Sequence, residues 1–214
     1  MHEPAKWFPV NAIRRAGPWP GLLLLVWLQG CTAAQLPLNS ERIENRFGSF
    51  GIDVLASSDG LRRSNLYSVH DGERICRTFA VVRLHDPTAD AGDPALVRAR
   101  RAIDAGASLG ATLEDAGFEV QKRTRYVGSL PELHPAPHWV AFMQTGTSAG
   151  LAVHIYELYV KKSSEVIDFA SIIEVHHPDY LGPDDLERLY PVAADDTLDD
   201  SAVATALRFL DASE

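Results

Sequence analysis

The chain has 214 residues, 46% hydrophobic and 23% charged, with 15 glycines, 13 prolines and a net charge of −9. These proportions belong to a folded globular protein and exclude a collagen-like repeat, a polar disordered chain and a multi-pass membrane protein. Two cysteines are too few for a disulfide framework or a multi-cysteine zinc module.

The first feature in chain order is the apolar run Gly21–Leu28, preceded by Arg14 and Arg15. A membrane-spanning helix needs roughly 20 apolar residues, so this run is too short to cross a bilayer. A basic flank, a short apolar core and small residues after it describe a secretory signal peptide. Pro18 and Pro20 break the start of any amphipathic core helix here. The lead before the apolar run is long, and a start at Val10 rather than Met1 would make it more ordinary.

Leu28-Gln29-Gly30-Cys31 resembles the lipobox of bacterial lipoproteins, with an aliphatic residue at −3, a small residue at −1 and cysteine at +1. Gln29 departs from the usual Ala or Ser at −2. The resemblance covers residues 1–31 alone. It implies diacylglyceryl transfer to the Cys31 thiol, cleavage after Gly30, and anchoring of the mature chain to a membrane through acyl chains. Each buried methylene contributes about 0.8 kcal/mol, so two or more chains hold a protein stably. Thr32 at +2, where Asp would favour the inner membrane, points to the periplasmic face of the outer membrane of a diderm bacterium.

The domain organisation that follows is a signal peptide over 1–30, lipidated Cys31 with a tether over 31–39, and a single domain over 40–214. A chain of this size buries roughly 70% of its unfolded surface. Asn39 or Ser40 caps a first helix in which Ile43 and Phe47 share a face. Three strands follow: Phe50–Ala56, Leu61–Val69 and Glu73–Leu84. The pair Asp71-Gly72 marks a tight hairpin, so these three form a meander. Pro94 opens the main central helix, running to about Ala116, with Leu96, Ala99, Ile103, Leu109 and Leu113 facing inward. Gly106 and Gly110 weaken its middle by about 1 kcal/mol each. Further strands are expected at Phe118–Val127, Trp139–Thr145, Leu151–Val160 and Glu165–His176, then short helices at Pro183–Leu189 and Ser201–Leu210. Short links between strands mean antiparallel pairing, so the class is α+β, with a sheet of about six or seven strands. The similar strand count of the two halves hints at duplication.

Charge is uneven along the mature chain. Residues 31–130 carry 13 basic and 13 acidic residues, whereas residues 131–214 carry 4 and 15, a net −11. Nucleic acid is excluded as a partner by this balance. The acidic half serves solubility or meets an envelope protein with a basic surface.

Candidate chemistry gathers on the last hairpin. If Lys161-Lys162-Ser163-Ser164 is a symmetric turn, Val160 pairs with Glu165, and His154, Tyr156 and Leu158 face Ser171, Phe169 and Ile167 on a core side. Glu157 then opposes Asp168 on the other side, and Leu151 opposes Glu174, with His176 two residues on. Opposed like charges are destabilising unless compensated. Glu157, Asp168, Glu174 and His176 are therefore the catalytic candidates, since carboxylates beside imidazole bind divalent metals or carry acid–base chemistry. His176 and His177 are the metal candidates, although adjacent strand residues point to opposite faces. His134 and His138 flank a proline loop without zinc-type spacing. His154 reads as a core histidine bonded to a hydroxyl. Cys76, the free thiol of the mature chain, reads as a buried structural residue, or as a thiol activated by Arg74 and Arg77.

The sequence holds no SxxK, P-loop, GxGxxG or HExxH motif, and no cofactor is implied. Two functional readings stay open: a lipid-anchored envelope domain that binds or scaffolds another component, and a small hydrolase or metal-dependent enzyme working through the carboxylate–histidine group.

Overall fold

The computed structural model describes residues 37–85, 93–133 and 136–211. The expected signal segment, with Cys31 and Thr32, and His134 lie outside the described residues. The elements run α1 (Asn39–Phe47), β1 (Gly51–Ser58), β2 (Leu61–His70), β3 (Glu73–Leu84), α2 (Pro94–Asp104), α3 (Leu109–Asp115) and β4 (Glu119–Ser129). They continue with α4 (His138–Met143), β5 (Ala152–Lys162), β6 (Glu165–His176), α5 (Pro183–Leu189) and α6 (Asp200–Asp211). Among the described residues, no helix is long and apolar enough to cross a membrane.

The fold is α+β around one antiparallel sheet of six strands in the order β1-β2-β3-β6-β5-β4. Two three-stranded meanders meet at the β3–β6 pair. The first meander closes through Asp59-Gly60 and Asp71-Gly72, where both residues of each turn have positive φ. That backbone twist matches paired strands, and Asp and Gly tolerate it best.

Both sheet faces are covered. On one, Trp139, Val140 and Met143 of α4 and Val203, Ala206 and Leu210 of α6 pack on Phe79, Val81, Ile155, Ile173 and Val175. The Trp139 ring stacks on Phe79 at 5.1 Å, and its indole N–H donates to the Leu210 carbonyl. On the other face, Leu96, Ala99 and Ile103 of α2 and Leu113 of α3 pack on Val82, Tyr156, Leu158 and Ile172. At the far end of that face, Ile43 of α1, Leu186 of α5 and Tyr180, Leu181 and Tyr190 form a smaller cluster over Ala152.

Three expectations need correction. There is no single central helix: the chain breaks between α2 and α3, where Gly106 takes φ +108°. The buried Arg62 guanidinium stabilises the break by donating to the carbonyls of Ile103 and Ala107 at 2.7 and 2.9 Å, filling the orphan acceptors of a helix end. Trp139–Thr145 is not a strand, since residues 138–143 form α4, whose buried Trp139, Val140 and Met143 follow helical spacing. The final hairpin turns through Ser163-Ser164 alone, pairing Lys162 with Glu165. Lys161 and Lys162 stay in the strand because they reach Glu119 at 3.2 Å and Asp93 at 2.8 Å.

The acidic stretch before α6 is not idle surface either. The Asp199 carboxylate accepts the Ala202 N–H at 2.8 Å, and Asp196 pairs with Arg123.

Candidate functional site

The hairpin register decides which residues meet. Past a bulge between Leu158 and Tyr159, the cross-strand partners become Glu157–Ser171, Tyr156–Ile172, His154–Glu174 and Ala152–His176. Glu157 therefore does not oppose Asp168, Leu151 does not oppose Glu174, and His154 does not face Ser171. A bulge adds one residue to one strand and transfers every later side chain to a new partner. With both faces apolar, alternation could not reveal it.

His154, Glu174 and His176 now share one face, between the α2–α3 core and the α1–α5 core. His154 and His176 are fully buried and Glu174 is 6% exposed. One ligand atom from each falls within 4.8 Å of the others. Glu174 Oε2 lies 3.9 Å from His154 Nδ1 and 3.7 Å from His176 Nε2. Glu174 Oε1 accepts from Asn39 Nδ2 and the Tyr156 hydroxyl, each at 3.2 Å. The outward ring nitrogens are fixed by threonines: His154 Nε2 lies 3.1 Å from Thr124 Oγ1, and His176 Nδ1 lies 3.0 Å from Thr78 Oγ1. The inward nitrogens, His154 Nδ1 and His176 Nε2, have no hydrogen-bond partner.

Burial governs the protonation of this group. It pushes His176 down to about 4 against the pull of Glu174, and holds His154 well below the usual imidazole range, helped by Lys122, His176 and Arg42. Burial raises Tyr156, with Glu174 adding to it, so the phenol stays a donor. Burial also lowers Lys122, whose ammonium lies 4.9 Å from the centre of the Tyr156 ring and 5.7 Å from that of Tyr190. Arg42 donates to the Tyr190 hydroxyl at 2.6 Å.

Two hollows adjoin this group. A cavity of about 80 Å³ is lined by Glu174, Tyr156, Asn39, Lys122 and Gly110, among others. An open cleft of about 420 Å³ runs along Leu38, Val120, Thr124, Leu189, Tyr190 and Pro191. Leu38, Val120 and Lys122 line both. Gly110 allows the close approach, because a Cβ there would sit 2.7 Å from Leu38 Cδ2.

The other sequence candidates lie elsewhere. Glu157 sits on the opposite face, where Oε2 receives the Tyr159 hydroxyl at 2.8 Å and Arg125 at 3.3 Å. Asp168 Oδ1 lies 2.8 Å from His85 Nδ1, whose Nε2 lies 2.9 Å from Ser171 Oγ. This places hydroxyl, imidazole and carboxylate in the order of a hydrolase triad. Ser171 is 2% exposed and flanked by Arg83 and Glu157, so a substrate carbonyl could reach Oγ only by displacing its neighbours. His177 does not join His176. Its Nδ1 accepts the Asp179 N–H at 3.0 Å. Cys76 is buried and donates to Asn65 Oδ1, and burial raises its thiol pKa despite Arg77, which removes the activated-thiol reading.

Sequence reasoning placed Glu174 and His176 among the candidates but not together with His154, Lys122, Asn39, Tyr156 and Tyr190. Asn39 and Tyr190 come from opposite ends of the described chain; Tyr190 carried no local signal, and Asn39 was legible only as a helix cap, whereas the structure puts it inside α1 with Leu38 at the cap. No family model matches the sequence, and no curated protein matches it either.

Proposed function

We propose that this chain is a lipid-anchored bacterial envelope protein whose domain binds a small anionic amphiphile in the cleft between α3 and α5. The observation that supports the binding site is the meeting of cleft and cavity at Lys122, with Leu38, Val120, Leu189 and Pro191 offering apolar walls around a desolvated cation. Glu114, Arg123, Thr124 and Asp196 also line the cleft, Arg123 and Asp196 as an ion pair, and apolar walls with placed polar groups suit small ligands. The lipobox-like Leu28–Cys31 supports the anchor. Six chain steps, with residues 32–36 between, separate Cys31 from Pro37 at the cleft rim. At roughly 3.3–3.6 Å per residue, they hold that rim within about 20 Å of the lipidated cysteine. The ligand source on this reading is the bilayer itself.

The test titrates the detergent-released protein with anilinonaphthalene sulfonate, an anionic amphiphile, and with neutral phenylnaphthylamine. Lys122→Met is expected to weaken the anionic probe by about 10–100-fold, the scale of one charged hydrogen bond, and to spare the neutral one. Equal weakening of both, or of neither, would contradict the proposal.

A further inference from the structure

We propose that His154, Glu174 and His176 form a binding site for one divalent first-row transition-metal ion. Two imidazoles and one carboxylate are a donor set used for zinc and for iron(II). The geometry carries the assignment. The inward nitrogens lie 3.9 and 3.7 Å from one Glu174 oxygen, too far for hydrogen bonds. Ligand atoms at about 2.0–2.2 Å from a shared tetrahedral ion lie roughly 3.3–3.6 Å apart, so seating one here requires movements of only a few tenths of an ångström.

Everything outward of the three ligand atoms is already fixed. Thr124 and Thr78 hold the imidazoles by their other nitrogens, and Asn39 and Tyr156 hold the second Glu174 oxygen. Such outer partners orient ligands in metal sites. His154 Nδ1 and His176 Nε2 are buried and without partners. Orphaned buried groups of this kind are destabilising, and an ion would satisfy both at once. The neighbouring cavity reaches Glu174, with Tyr156 and Asn39 that bond its second oxygen, and neither histidine. Lys122 lines the same cavity and opposes a cation there, so it limits affinity.

The site stands apart from the amphiphile proposal, and Lys122→Met separates them, since it should weaken the anionic probe and tighten the metal. The experiment uses the detergent-released chain without a polyhistidine tag, stripped with chelator, and titrated calorimetrically with Zn²⁺. In parallel, Co²⁺ substitution reads the ligand-field absorption of the wild-type protein. The expected result is one Zn²⁺ per chain and a Co²⁺ band that Zn²⁺ abolishes. Thr78→Val should weaken binding about 10–100-fold, the usual effect of an outer partner. His176→Gln should remove it, and His177→Gln should leave it unchanged. A folded wild-type chain that takes up no Zn²⁺ and gives no Co²⁺ band would overturn the proposal without reference to any variant. Equal binding by wild type and a folded His176→Gln would overturn it as well.

Discussion

Acid should destabilise the metal-free domain through His176, by an amount fixed by its burial. The imidazole has a pKa of about 4 in the folded protein, against about 6.5 for an exposed histidine. Between these values the unfolded chain carries a proton that the folded chain does not. Stability therefore falls as pH drops through this window, is complete above about 6.5, and stops changing on this account below about 4. At about 1.4 kcal/mol per pH unit, the whole interval amounts to about 3 kcal/mol, of which about 2.5 kcal/mol is lost by about pH 4.5. His154, also held neutral by burial, adds in the same direction. Urea unfolding with chelator present, at pH values from about 7.5 to about 4.5, measures the loss. His176→Gln removes this proton, so its stability should fall by about 2.5 kcal/mol less than wild type over that range. Parallel curves would refute the reasoning, because they would mean that Glu174 keeps His176 protonated in the fold.

Three other outcomes are expected. Cys31→Ser should block lipid transfer and leave an uncleaved precursor, and labelling with a palmitate analogue at the wild-type level would contradict this. Asp199→Ala removes the carboxylate that accepts the Ala202 N–H at the start of α6, so it should cost about 1 kcal/mol in denaturant unfolding. Cys76, buried and with a raised thiol pKa, should react with a disulfide reagent only as fast as the protein unfolds, and rapid modification under native conditions would refute that burial.

The strands were largely legible because Asp-Gly turns and long apolar runs are local signals. Leu61, Glu73 and Glu165 open their strands where the sequence places them. The break between α2 and α3 was visible as Gly106, but its stabiliser, Arg62, comes from β2 and has no signature near the helix. Trp139, Val140 and Met143 misread as a strand because an apolar run this short fits either period. The candidate site was half legible. Glu174 and His176 stood out as polar residues in an apolar strand, whereas their partner depended on a bulge at Leu158/Tyr159 that no residue pattern marks. A turn two residues shorter, followed by that bulge, replaced Ser171 with Glu174 opposite His154 and created the cluster.

The most direct test of that cluster reads the two imidazoles themselves, by long-range proton–nitrogen correlation on ¹⁵N-labelled, metal-free protein at about pH 7, above the titration of both rings. Both rings should be neutral, His154 protonated at Nε2 and His176 at Nδ1 toward their threonines, leaving His154 Nδ1 and His176 Nε2 bare beside Glu174. One equivalent of Zn²⁺ should then shift these two bare nitrogens and no other. An imidazolium signal from either residue, or a Zn²⁺ shift confined to the exposed His70 and His138, would contradict the site.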